Sequence, residues 1–310
     1  MSASSAAIEA IGPDDWLNEE QRAAVLALAA EVRTADGVAA LSEGFELALD
    51  RPGRHVLAIG SAGAGGESVI AYAGVADDGS AELFVGPGSR RQGLGRRVWA
   101  SAKTLGAQRI WAHGDLDPAK ACAAAEGLER VRELHLMTRP LTQGDRAESV
   151  LPQGFTSRTF DPAADGPAWV DLNATAFAHH PEQGQITLAD LRSRMALPWF
   201  DPAGFFLVED DSRPDLGPIA FHWTKIEPAN GPHDSGEVYV VGVHPAYQGR
   251  GLARPLTRLG IAHLARHGLG RVDLYVDGDN TAALATYRKE GFTITSTDVV
   301  YALPAARMGS

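Results

Sequence analysis

The chain repeats itself. VGPGSRRQGLGRR (Val85–Arg97) and VHPAYQGRGLARP (Val243–Pro255) share the pattern V-x-P-x-x-[RQ]-x-x-G-L-[GA]-R, and the copies stand 158 residues apart in a chain of 310. A match at so many fixed positions constrains the fold more than any bulk property, because it reads as two tandem copies of one domain. The polar, aperiodic stretch LTQGDRAESVLPQG between them lacks any helix or strand period. The expected division is therefore 1–140, a linker at 141–153, and 154–310.

Each copy follows a similar order. In the first, Asn18 and Gln21 have capping-box spacing, opening a helix from Glu19 to about Arg33 with Ala24, Leu28 and Val32 on its core face. Strand-like RHVLAIG, SVIAYAGV and AELFVG follow, then the glycine loop, a helix from about Gly93 to Leu105, strand QRIWAH, a helix begun by Asp117-Pro118, and VRELHLMTR. The second copy has helices around Asp165–Phe177 and Thr187–Ala196, then FFLVE, PIAFHWTKI, EVYVVGV, the loop and a helix to His267. It closes with RVDLYV, a helix capped by Asn280 and stopped at Gly291, and FTITSTDVVYAL. Early strands succeed one another and later ones alternate with helices, which is a mixed α+β sheet and not a doubly wound one.

Composition removes several function classes. Hydrophobic residues are 45% and charged residues 22%, ordinary for a soluble globular chain. Lys+Arg 28 against Asp+Glu 39 leaves a net charge of −11, the wrong sign for a protein whose main affinity is for phosphate backbones, so no nucleic-acid partner is expected. Cys122 is the only cysteine, which forbids an intrachain disulfide and fits a reducing cytoplasm. No basic leader opens the chain and nowhere do 18 apolar residues run together, so no membrane partner is expected.

The chemistry lies in a strand running straight into QGRGLA and then a helix. Gly249 and Gly251 allow the backbone to turn sharply and approach a ligand closely. The amides opening the next helix then point at an anion, and a pyrophosphate suits that geometry. The loop lacks both G-x-x-x-x-G-K-[ST] and G-x-G-x-x-G, so nucleoside triphosphate and dinucleotide readings lose their fingerprints.

Joined to NTAALATYRKEGF (Asn280–Phe292), this loop resembles the GCN5-related N-acetyltransferase (GNAT) family, whose acetyl-CoA loop reads [QR]-x-x-G-x-[GA] and whose next helix ends Y-x-x-x-G-F. The resemblance covers both halves. The segments GEVYVVGV, HPEQG, FHWTK and LYVDGDN bring the chain closer to a two-domain actinobacterial branch. That branch moves acetyl from acetyl-CoA to the cysteinyl amine of a cysteinyl-glucosaminyl-inositol. The resemblance implies acetyl-CoA as co-substrate, held by Val241, Gly242, Val243, Gln248, Gly249, Arg250, Gly251, Leu252, Ala253 and Arg254, with Asn280, Thr281, Ala282, Ala283, Leu284 and Ala285. It implies a second such cradle at Leu83, Phe84, Val85, Arg91, Gln92, Gly93, Leu94, Gly95 and Arg96.

For catalysis the resemblance points to Glu237 as general base and Tyr287 as general acid. Alternation along the strand puts Glu237, Tyr239, Val241 and Val243 on one face. A carboxylate can accept the proton of an α-ammonium of reference pKa near ~8, and a phenol near ~10 can protonate a thiolate near ~8.5. Glu43, Glu182, Lys225, Tyr275 and Glu237 are implied for the acceptor. Aligning the halves on their loops puts Gly79 opposite Glu237, and aligning on Gly127 and Gly291 puts Ala123 opposite Tyr287, so the first half is expected to be non-catalytic. A cytoplasmic monomer acting on two small molecules is expected. Acetylation of an aminoglycoside or a protein N-terminus, and a non-catalytic acyl-CoA sensor, stay open as alternatives.

No metal is expected. His179-His180 lacks a third ligand at metal spacing, and His263 with His267 at i, i+4 lacks the glutamate of H-E-x-x-H. GSAGAGGES (Gly60–Ser68) reads as a hairpin loop.

Overall fold

The computed structural model describes residues 6–61, 66–147, 149–178, 183–226 and 235–304. Contacts divide the chain into two compact units, Met1–Leu134 with Ser296–Ser310, and His135–Thr295. The elements in order are β1 (Ala7–Ile11), α1 (Glu19–Asp36), α2 (Glu43–Ala48), β2 (Arg54–Ser61), β3 (Glu67–Val75), β4 (Ser80–Val85), α3 (Leu94–Thr104), β5 (Arg109–Ala112), α4 (Asp117–Ala125) and β6 (Glu129–Pro140). There follow β7 (Phe155–Thr159), α5 (Gly166–Ala176), α6 (Leu188–Met195), β8 (Phe205–Asp210), β9 (Pro218–Lys225), β10 (Ser235–Val243), α7 (Ala253–Arg266), β11 (Arg271–Asp277), α8 (Thr281–Lys289) and β12 (Thr293–Ala302).

In the first unit the sheet runs β1-β2-β3-β4-β5-β12. The expected helix α1 opens with a full capping box, the Gln21 amide donating to Asn18 Oδ1 (2.8 Å) and the Asn18 amide to Gln21 Oε1 (3.0 Å). Its buried stripe is Val25, Leu28, Ala29 and Val32, shifted one position from the expected Ala24. With Leu57, Tyr72 and Phe84 this stripe forms the core of one sheet face. Leu94, Val98 and Trp99 of α3 cover Val56, Ala58, Ala71 and Ala73 on the other, where Val299 and Tyr301 of β12 also pack. β12 pairs with β5 from Val299–Ala112 to Ala302–Arg109, so the end of the chain completes the first unit.

In the second unit the order is β6-β11-β10-β9-β8-β7. One face is aromatic: Phe205 stacks on Trp223 (4.5 Å between centroids), and Trp169 meets Phe205, Phe221 and Trp223 edge-on beneath α5 and α6. The other face packs α7 and α8 through Leu256, Ile261, Leu264, Leu284 and Tyr287. Here His222 of β9 lies under Gly260, where a Cβ would stand 2.2 Å from the ring, and shares a 2.9 Å hydrogen bond with Leu256 C=O through Nδ1. Burial lowers its pKa to about 4, so the ring is neutral and Nδ1 donates.

The described residues of segment 141–153 include two that bond to α7 within the second unit. Arg146 Nε donates to Ala265 C=O (3.1 Å) and Ser149 Oγ to Pro255 C=O (2.8 Å). No helix among the described residues is long and apolar enough to cross a membrane.

Candidate active site

Strands β10 and β11 pair in parallel from Ser235–Arg271 to Val238–Leu274 and then part. From Tyr239 to Val243, β10 keeps β9 on one side and turns a free backbone edge towards the gap. An extended ligand bearing amides can pair with such an edge. Just past Val243, Gly249 (φ 76°) and Gly251 (φ 78°) take left-handed conformations that admit the turn into α7. A Cβ on Gly251 would meet nothing nearer than Pro152 Cγ at 4.0 Å, so the glycine is required by its dihedral angle and the space beside it is open. The first helical bond runs from the Leu256 amide to Leu252 C=O (3.0 Å), leaving the Leu252, Ala253 and Arg254 amides to face an anion.

Loop side chains are pre-arranged. The Arg250 guanidinium lies 4.4 Å from the Tyr247 ring centroid, and Tyr247 Oη donates to Asp210 (2.9 Å). Tyr247 was not legible as a site residue, although an aromatic two residues before a glycine turn is the available signal. Gln248 Nε2 donates to Val243 C=O (3.4 Å), and Leu252 is core. Arg254 and Arg258 both place Nε on the buried Glu290 at the end of α8. The counterpart in the first unit is Arg96 (3.0 Å) and Lys103 (3.1 Å) on Glu126, so these contacts brace α7 to the end of α8 and α3 to the end of α4, while Arg254 and Arg96 keep 58% and 66% of their side chains exposed. On α8, Asn280 Oδ1 accepts from the Ala283 amide (3.1 Å) and Leu284 is buried, whereas Thr281, Ala282 and Ala285 are exposed.

The expected alternation of β10 breaks. Pairing with β9 shifts register between Val238 and Val240, a bulge at Tyr239. Tyr239 and Val240 therefore both pack with the aromatic face, while Val241 and Val243 join Val238 against the α7 side. Glu237 and Tyr239 do not share a face with Val241 and Val243, and the bulged extra residue is the reason.

Three expected residues, Glu237, Lys225 and Tyr275, come together on the aromatic face. Glu237 stands in register with Lys225 on β9 and Asp273 on β11. Lys225 is buried, its Nζ 5.0 Å from the Trp199 centroid and 5.5 Å from that of Tyr239. Tyr239 Oη in turn accepts from Arg194 Nε (2.9 Å). Tyr275 is 49% exposed where β11 has left β10, on the face opposite Leu274 and Val276. Tyr287 lies on the other face, its ring 5.9 Å from Phe292 in the core that holds Val238 and Leu274. Among the described residues none hydrogen-bonds its hydroxyl, and burial pushes its pKa up to about 12. Glu182 and the His179-His180 pair lie outside the described residues.

The first unit has the same splay, β4 and β5 pairing from Ser80–Arg109 to Glu82–Trp111 and then parting. Its loop keeps the two left-handed turns at Arg91 (φ 63°) and Gly93 (φ 77°). An arginine there costs about 1–2 kcal/mol relative to glycine. Phe84 and Leu94 are core, Leu83 and Val85 pack against the α3 side, Gly95 is half-buried and Gln92 is exposed.

Sheet register moves the counterpart of Glu237 by one residue, from Gly79 to Ser80. Ser80 pairs with Arg109 as Glu237 pairs with Asp273, and IWAHGD (Ile110–Asp115) then matches LYVDGD (Leu274–Asp279). Val85 stands against Ala71 as Val243 stands against Ala220, and the bulge at Tyr239 supplies the extra residue, which puts Glu82 at the place of Val240. Glu82 is 2% exposed and engaged, accepting from the Ser42 amide (2.8 Å) and meeting His113 Nε2 (3.2 Å), whose Nδ1 is 3.0 Å from Asp298 of β12. Burial alone would lower the His113 pKa, but Glu82 and Asp298 outweigh it and push it up to about 10. Glu43, half-buried at the start of α2, follows Ser42 beside this cluster, and Ala123 is buried in α4 as the expected counterpart of Tyr287.

A parallel strand pair that splays beside a glycine loop and helix N-terminus is an acyl-CoA transferase architecture, and the model of the acetyltransferase (GNAT) family matches residues 169–292. In structure the chain is similar to a GCN5-related N-acetyltransferase from Sphaerobacter thermophilus (TM-score 0.66, 23% identity, 95% of this chain and 94% of that one). It is also similar to a tandem GNAT protein from the clavulanic acid biosynthesis pathway (TM-score 0.65, 17% identity, 97% and 100%), and both likenesses speak to fold alone. In sequence it is 48% identical over 295 residues to the mycothiol acetyltransferase of Thermomonospora curvata, covering 94% of this chain and 96% of that relative. The chain belongs to the mycothiol acetyltransferases of the GNAT family.

Proposed function

We propose that the chain transfers the acetyl group of acetyl-CoA to the cysteinyl amine of cysteinyl-glucosaminyl-inositol, giving mycothiol and CoA. The observation that carries this reading is near-full-length similarity to a mycothiol acetyltransferase. The residues fit the co-substrate: two left-handed glycines and three amides without a backbone partner among the described residues suit its pyrophosphate, and the edge of β10 that β11 leaves suits its amide-bearing arm. Acetyl-CoA supplies the activated acetyl group. Glu237, at the last paired positions before the gap, takes the ammonium proton directly or through water. Lys225 and Tyr275 on the same face, with Glu182 and Glu43, recognise the acceptor. Dependence on acetyl-CoA suits a cytoplasmic setting.

Tyr287 approaches from the opposite face and supplies the proton for the departing thiolate. With a pKa near 12 it remains a neutral donor at physiological pH. Tyr287→Phe preserves the ring packing, so kcat is expected to fall by about 10²-fold with Tm nearly unchanged. Single-turnover kinetics with both substrates check this, and an unaltered chemical step removes Tyr287 from the mechanism.

The second unit is the catalytic one in this reading. The first unit preserves the loop, even with an arginine in a left-handed turn, which favours a second acetyl-CoA site without turnover because Ser80 stands in place of Glu237 and Ala123 in place of Tyr287. The deciding assay follows CoA release with cysteinyl-glucosaminyl-inositol, an aminoglycoside and N-terminal peptides. The first should lead in kcat/KM by about 10²-fold or more, the discrimination of a site that hydrogen-bonds its substrate. Equal turnover of all three would reject the assignment.

A further inference from the structure

Away from the splayed strands, the C-terminal end of α7 carries His263 and His267 one turn apart, their ring centroids 4.6 Å from each other. The turn before β8 brings Asp201 to them, with Oδ2 3.6 Å from His263 Nε2. One ligand atom from each of the three residues lies within 4.8 Å of the others. His263 is 9% exposed, and its Nε2 is buried without a hydrogen-bond partner among the described residues. A buried imidazole nitrogen with no hydrogen-bond partner among the described residues, directed at a carboxylate, is an arrangement that ordinary packing avoids. Gly204 keeps the space open, since a Cβ there would stand 2.8 Å from that nitrogen.

We propose that Asp201, His263 and His267 form a binding site for a transition-metal dication of the zinc class, completed by water, which ties the end of α7 to the turn before β8. Two imidazoles and one carboxylate suit zinc, cobalt, nickel or copper better than the hard dications, which prefer all-oxygen shells. Bonds of about 2.1 Å set tetrahedral ligand atoms roughly 3.4 Å apart, a contraction that side-chain rotation at the half-exposed Asp201 and exposed His267 allows. In sequence the pair lacks H-E-x-x-H, and the third ligand comes from 62 residues upstream of His263.

The test uses the full-length protein after treatment with a chelator. Cobalt(II) is titrated while visible d–d bands are recorded, and thermal melts are run with and without zinc chloride. One equivalent of cobalt with tetrahedral-type absorption, displaced by zinc, together with a Tm raised by several degrees, is the expected result. Asp201→Asn and His267→Ala avoid the buried His263. Each should weaken binding by more than about tenfold, the loss that removing even an outer partner of a metal ligand produces. Absence of a stoichiometric step, an octahedral hydrated-cobalt spectrum, or binding undiminished in both variants would overturn the site.

Discussion

Glu237→Gln should lower kcat/KM by about 10²–10⁴-fold, the range that general acid–base catalysis supplies. The replacement keeps the volume and the strand register opposite Lys225 and Asp273, and removes only the ability to hold a proton. Acetyl-CoA should bind unchanged, because the loop and the α7 amides stand across the bulge on the other side of the sheet. Titration of acetyl-CoA into the variant, with initial rates across pH, separates the two effects. A fall of less than fivefold at neutral pH would remove Glu237 from the chemistry.

Glu82→Gln, in the first unit, should instead damage stability. It leaves His113 inside the protein with one carboxylate fewer, and unpairing a buried charge costs about 3–5 kcal/mol, roughly 10 °C in Tm. Turnover per folded molecule should persist. The pH dependence gives a second readout. A folded-state pKa of about 10 for His113, above its unfolded value near ~6.5, makes a stabilising contribution that is complete below the unfolded value and lost as pH rises through 10. Wild-type Tm should decline across that window, and the variant should decline less. Equal slopes would mean that His113 is not the titrating group.

Most of the architecture was legible because duplication and capping are local signals. Asn18 with Gln21 and the Asn280 cap formed as their spacing required. What escaped was set by pairing between strands. The bulge at Tyr239 leaves no mark in the pattern EVYVVGV, since a run of apolar residues looks alternating in either register. That one insertion also displaced the loop-anchored alignment by one residue, so that Ser80 and not Gly79 stands where Glu237 stands in the other copy. A glutamate inside a strand of buried neighbours was the missed signal, because such a group requires a partner, here His113. Likewise, nothing in FTITSTDVVYAL announces that it pairs with QRIWAH rather than with its own half of the chain.

That last pairing bears on how the protein is made. Ser296 to Ala302 finish the first unit, yet they leave the ribosome about 160 residues after Leu134. At ~5–20 residues per second this is a wait of roughly 8–30 s, during which β5 lacks its final neighbour and Glu82 and His113 lack Asp298. The second unit, continuous from His135 to Thr295, meets no such delay. The last strand of the half synthesised first therefore becomes available only after the whole of the half that carries Glu237 and Tyr287 has been translated.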